Sequence, residues 1–169
     1  LESKPDLLIT TGAVSMGKYD FVTTAMKDVG VGIYFHKVAI RPGKPLLFGQ
    51  LDQTTVFGLP GNPVSSAVGV RFFVEPYLRA AQSLEAETPI PLPLTKTVKK
   101  PKGLRCFFKA TVTATPKELV VESLPGQSSA LVSPLLKANA WVELPAEETE
   151  IPAGTMVATH PLHSWKGFS

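Results

Sequence analysis

A chain of 169 residues, 44% hydrophobic and 18% charged, can bury one or two modest cores and lacks the low hydrophobicity and high charge of a disordered polymer. Its formal net charge of +3 and pI near 9.0 suit an anionic partner, but dispersed charges and an aromatic content of 8% do not imply nucleic acid. The single cysteine, Cys106, excludes an internal disulfide framework and a Cys-rich zinc site, and no apolar run approaches the roughly 18 residues of a membrane span, so a cytoplasmic location is expected.

The chain starts without methionine and enters an apolar segment almost at once, which reads as part of a longer polypeptide. Residues 6–10 predict a short buried strand, residues 10–17 a loop of small residues (TTGAVSMG), and residues 21–29 a helix with Asp20 at its N-cap. Strand character resumes over residues 32–39, and residues 46–49 and 54–57 predict a hairpin turning at Asp52 and Gln53. A long helix is expected over residues 63–82. Asn62 is a favoured N-cap, Pro63 a favoured first residue, and VSSAVGVRFFV is apolar on most sides, so the helix should be buried, with Pro76 kinking or ending its regular part.

Alternating prolines in residues 83–93 (SLEAETPIPLP) predict an extended linker and a domain boundary, giving units 1–85 and 86–169. Beyond it, short apolar runs at 94–98, 105–113, 118–123, 140–144 and 155–159 predict a small β-barrel or sandwich. The fold class expected is α/β.

Two turns look suited to anions. In LPGNP (residues 59–63) the first turn of a helix leaves N–H groups unpaired, with the Ser65 hydroxyl nearby; in RPGKP (41–45) two prolines stiffen a turn carrying Arg41 and Lys44, with Lys37 four residues upstream of Arg41. Taken singly, a capped helix start and a solvated basic loop are the commoner meanings of such segments. The first loop adds Thr11, Ser15 and Asp20, a carboxylate able to hold Mg²⁺ or simply to cap a helix; its lysine spacing is wrong for a Walker A loop. His36, His160 and His163 show no ligand or triad spacing, and Cys106 reads as a small core residue. With no activated nucleophile evident, the chemistry this set suits is positioning and charge neutralisation of oxyanions.

TTGAVSMGKYDFV, HKVAIRPGKPLLFG and VFGLPGNPVSS, in this order and spacing, closely resemble the molybdopterin molybdenumtransferases, the MoeA and gephyrin E-domain family. The resemblance is strong over residues 6–82 and looser from Pro89 onward. It implies part of a three-layer molybdopterin-binding α/β domain followed by a C-terminal β-barrel. It also implies insertion of molybdenum from molybdate into adenylylated molybdopterin with release of AMP, Mg²⁺ assistance and a homodimeric parent. By resemblance Asp20 holds Mg²⁺ or orients the phosphate, Ser15 hydrogen-bonds beside it, and Lys37, Arg41 and Lys44 bind the anionic substrates. Pro45, Pro60, Asn62, Pro63 and Ser65 would line the pocket, and Lys109 and Ser128 would face it from the second unit. Lys109 stands where arginine is usual, Ala13 replaces a glycine, and Arg41 replaces a lysine. A scaffold or receptor-binding module of the gephyrin kind and a molybdopterin adenylyltransferase are the alternatives; the trailing β-rich region argues against the latter.

Overall fold

The computed structural model describes residues 4–12 and 21–163. Strands β1 (Leu7–Thr11), β2 (Gly32–Phe35), β4 (Leu47–Leu51) and β5 (Thr54–Leu59) form a mixed sheet in the order β1-β5-β4-β2, in which only β1 and β5 run parallel. The β4–β5 hairpin turns at Asp52, whose φ of 52° is the left-handed conformation such a turn demands. Helix α1 (Phe21–Asp28) covers one face through Met26, which packs with Leu47 and Val56. On the other face Leu46, Phe57 and Leu59 meet Val74 of the long helix. Helices on both faces explain why every residue of β5 is buried.

The long helix is built from α2 (Pro63–Gly69), a π-helical segment (Val70–Val74) and α3 (Glu75–Ala81). The helix runs on past Pro76 to Ala81, but its regular α-helical part is interrupted just before that proline. Proline lacks the N–H that would bond the carbonyl four residues back, and the ladder is rearranged into the wider turn just upstream of it. Gly69 makes room for the core, since a Cβ there would stand 2.8 Å from Leu59 Cδ2 and force that buried side chain to shift. The predicted apolarity on most sides has a direct cause, since the helix lies between two sheets.

The second sheet has the order β3-β8-β10-β12-β6, with β9 paired to β8. Its members are β3 (Ile40–Arg41), β6 (Ile90–Pro93), β8 (Arg105–Ala114), β9 (Leu119–Ser123), β10 (Ala140–Leu144) and β12 (Met156–Pro161). A two-stranded ribbon joins β7 (Val98–Lys99) to β11 (Glu150–Ile151), and helix α4 (Ser133–Lys137) follows β9. Leu94 meets Val121 in one parallel bridge and the Thr95 N–H donates to the Val121 carbonyl, so the sheet rolls until its ends touch without a closed strand ladder. The expected barrel is thus a curled sheet around a core of Cys106, Phe108, Val121, Val142 and Leu144.

Two features correct the linear reading. The proline-rich stretch is not wholly linker, because Ile90–Pro93 is β6, paired antiparallel to β12. Pro91 and Pro93 are tolerated because β6 ends the path and needs donors on one side only. The second is β3, a strand from the first half of the chain that pairs parallel with β8, Ile40 against Arg105 and Arg41 against Cys106. The basic turn is thereby fastened to the second sheet.

The long helix meets that sheet through Phe72, stacked on Phe107 at 4.0 Å and set edge-on to Trp141 at 6.4 Å and to His160 at 5.0 Å. Arg71, only 4% exposed, staples the same junction: Nε donates to the Pro161 carbonyl, and the guanidinium pairs with Glu87 at 2.7 Å and Glu75 at 3.4 Å. His160 Nε2 lies 3.1 Å from Glu143, which also faces Arg105 at 3.3 Å. The hydrogen bond with His160 and the charge of Arg105 together hold the Glu143 carboxyl below its ordinary value, against the opposing effect of burial.

A depressed carboxylate contributes stability that is complete above its unfolded pKa and is lost as pH falls through the folded one. Acid unfolding of the wild type should therefore steepen below about pH 4.3, the ordinary glutamate value. Glu143→Gln is expected to start less stable at neutral pH and to lose less on acidification, as thermal melts taken from neutral pH to well below about pH 4.3 will show.

Candidate functional site

The structure brings the RPGKP and LPGNP turns together on one cleft of about 560 Å³. Arg41, Lys44 and Pro45 line it from the first turn, and Pro60, Asn62 and Ser65 from the second. Ser128 and Ser129 close it from the loop after β9, and Leu104 from the turn before β8. Arg41 and Lys44 are both exposed, whereas Pro42 and Gly43 between them are buried. Gly43 has φ +105°, and a Cβ there would meet Ile40 Cδ1 at 3.2 Å. Glycine thus lets the turn lie down on the core while its two cations point outward.

Of its two meanings in the sequence, the LPGNP turn takes the commoner one, a capped helix start. Asn62 Oδ1 accepts from the N–H groups of Val64, at 3.1 Å, and Ser65, at 3.3 Å, and the Asn62 carbonyl takes that of Ser66. The Ser66 hydroxyl donates to the Pro60 carbonyl. The first turn of α2 has therefore spent on its own cap the donors that an anion would need. Positive charge in the cleft comes from Arg41 and Lys44 rather than from the helix end. Pro63 is exposed at the helix start and is not part of the lining.

Gly61 stands against the end of β1, since a Cβ on it would lie 3.1 Å from Gly12 Cα, and the Gly12 N–H donates to Leu59. The first motif thus reaches the LPGNP turn at Gly12. Ser15 and Asp20 lie outside the described residues. Lys37 is exposed and is not among the side chains that line the cleft.

Lys109 does not face a ligand. It is 1% exposed, and Nζ donates to the carbonyls of Gly126 at 2.8 Å, Leu131 at 3.0 Å and Ser128 at 3.2 Å. Its burial lowers the pKa of the ammonium from the ordinary lysine value. Gln127 grips the same residue, accepting from the Lys109 N–H at 2.9 Å and donating to its carbonyl at 2.8 Å. Lys109 and Gln127 hold the loop that presents Ser128. Ser129 and Leu104 are lining residues that sequence reasoning passed over; the Ser128-Ser129 pair was the available signal.

A shallower groove of about 410 Å³ adjoins the cleft, sharing Arg41 and Ser128 and extending to Lys99, Lys100, Phe108 and Gln127. Cys106 lies beneath this region fully buried; burial raises its thiol pKa, against the lowering effect of the Lys100 and Arg41 charges, so it is no nucleophile. Among the described residues no group of three or more His, Cys, Asp or Glu side chains could hold a metal ion. The described cleft lining carries cations and hydroxyls but no carboxylate, and Asp20, the residue expected to hold Mg²⁺, lies outside the described residues. Among the described residues no helix is long and apolar enough to cross a membrane.

Comparison with known proteins decides the family. Residues 1–80 match a family described as "Probable molybdopterin binding domain", and residues 91–162 match the "MoeA C-terminal region (domain IV)". The chain is 46% identical over 158 residues to the molybdopterin molybdenumtransferase of Synechococcus elongatus, covering 92% of this chain and 38% of that protein. The chain belongs to the MoeA family. A second MoeA-family relative, the molybdopterin molybdenumtransferase of Haemophilus influenzae, is 34% identical, with 98% of this chain and 42% of that protein covered. The chain therefore spans about two fifths of the length of these relatives. The fold is also that of a MoeA protein from Pyrococcus horikosii, with a TM-score of 0.77 at 23% identity over 97% of this chain and 39% of the other. The match of residues 91–162 to a MoeA C-terminal region favours this family over an adenylyltransferase lacking such a region.

Proposed function

We propose that this MoeA-family chain supplies the oxyanion-binding cleft of an enzyme of molybdenum cofactor biosynthesis, which inserts molybdenum from molybdate into adenylylated molybdopterin and releases AMP. The observation that carries the reading is the convergence of Arg41 and Lys44 with Ser65, Ser128 and Ser129 on one cleft, from segments far apart in sequence. Molybdate and the phosphate of an adenylylated substrate are both oxyanions, and both need what this cleft offers: fixed positive charge, hydroxyl donors and proline-stiffened walls that cost little to organise. Catalysis here is charge neutralisation and alignment of two anionic partners. Arg41 and Lys44 offset the repulsion between them, and the serine hydroxyls orient their oxygens. Magnesium enters only through Asp20, which lies outside the described residues, and no step is assigned to it.

The setting proposed is cytoplasmic, with a homodimeric parent enzyme. The test is AMP release from adenylylated molybdopterin by the enzyme that contains this chain, with Mg²⁺ present throughout. AMP is expected to appear only when molybdate is added; release indifferent to molybdate would falsify the reading.

A further inference from the structure

We propose that Lys100 and Lys109 are positioning residues that form a buried pair of positive charges behind the walls of the cleft, fixing those walls by hydrogen bonds and adding a field that favours doubly charged oxyanions. This rests on the reading of the cleft as an oxyanion site. Lys100 is 7% exposed, and Nζ donates to the carbonyls of Leu104 at 2.9 Å, Pro101 at 3.0 Å and Ala146 at 3.4 Å. Leu104 lines the cleft, and the two residues after it pair with Ile40 and Arg41. Lys100 therefore fastens the strand junction from which Arg41 projects. Lys109 does the same for another part of the wall, its ammonium gathering the carbonyls of Gly126, Ser128 and Leu131 around the loop that carries Ser128 and Ser129.

An ammonium has three protons, and each of these two spends all three on backbone carbonyls. Neither has a donor left for a ligand, so direct contact is not their role. Their charge, however, remains. Among the described residues no carboxylate lies within ion-pair distance of either Nζ, although neighbouring Lys99 pairs with Glu150 at 3.6 Å. Buried lysines ordinarily sit beside a carboxylate, because carbonyl dipoles solvate a cation without neutralising it. A pair of apolar residues could pack these walls without that desolvation cost. The unpaired charges make sense if an anion in the cleft completes the balance, and burial shields them from salt far better than exposed Arg41 and Lys44 are shielded.

Field and position are separable by ligand charge. Molybdate and perrhenate are both tetrahedral oxyanions, the first a dianion and the second a monoanion. A displaced wall weakens both alike, whereas a lost charge weakens the dianion by twice the logarithm. Calorimetric titration of the full chain with each anion, for the wild type, Lys100→Met and Lys109→Met, reads the difference directly. Each variant is expected to weaken molybdate about tenfold and perrhenate about threefold. Equal losses for the two anions would overturn the field, and unchanged affinities would overturn the proposal entirely.

Should a variant fail to fold, as circular dichroism will reveal, the wild type supplies the second measurement. Its preference for molybdate over perrhenate is expected to persist when salt is raised from about 0.1 M to about 1 M, where the screening length shrinks from about 10 Å to about 3 Å. A preference that vanishes would assign the attraction to exposed charges and overturn the proposal. Failure of the wild type to bind molybdate at all would instead overturn the oxyanion reading, and this proposal with it.

Discussion

The Arg41→Ala, Lys44→Ala double variant is expected to lose about two orders of magnitude in molybdate affinity, the scale set by removing two charge-assisted hydrogen-bond donors from one anion. Its thermal midpoint should barely move. Both side chains are exposed, whereas Pro42 and Gly43, which seat the turn, are buried and retained. The turn is also held by β3 pairing with β8, by the Val38 N–H donating to Lys44, and by Arg105 donating to Ala39, none of which involves the removed side chains. Calorimetry for affinity and a melting curve for stability check both halves. Wild-type affinity in the double variant would move the anion elsewhere. Lys37→Ala, outside the lining, is expected to cost much less.

Trp141→Ala is expected to destabilise the chain by about 3–5 kcal/mol, the usual cost of emptying an aromatic site in a core. That corresponds to a fall of roughly 10 °C in the midpoint for a chain of this size. Trp141 is 1% exposed, lies edge-on to Phe72 and belongs to one core cluster with Ile40, Val64, Val68 and Phe107, which joins β3, the helix after LPGNP and the second sheet. The loss should therefore extend from stability to the site. Molybdate affinity in the variant is expected to fall even well below its melting temperature, because β3 and α2, which carry the two turns, share the core cluster this ring fills. A variant that melts early but binds normally would show that the cleft is organised independently of this junction.

The first half of the fold was legible because its signals are local. Asn62 and Pro63 start α2 where expected, and the β4–β5 hairpin turns at Asp52, since caps and turns are encoded within a few residues. β3 was not legible: two residues long, it exists only because β8 offers it an edge. β6 was hidden for the opposite reason, its prolines masking a strand that needs donors on one side alone. The barrel was overdrawn because strand spacing says nothing about how the ends of a sheet meet, and here they meet in a single bridge.

Within the site, sequence motifs identified Arg41, Lys44, Pro45, Pro60, Asn62, Ser65 and Ser128, all of which line the cleft. Most of these side chains sit on turns whose immediate neighbours fix their conformation. Lys109 points into the wall, and only the carbonyls of a loop some twenty residues away reveal that. Lys100 was overlooked because VKKPKG reads as a solvated basic run, and nothing local tells which of its lysines is buried. The Arg71 and Glu143–His160 networks were equally silent, being made between elements distant in sequence.

The most direct measurement is an anomalous difference map at the molybdenum edge from crystals of this chain soaked in molybdate. The account predicts one dominant peak in the cleft, between the side chains of Arg41 and Lys44 and the hydroxyls of Ser128 and Ser129. A dominant peak elsewhere, with this cleft empty at full molybdate occupancy, would contradict it.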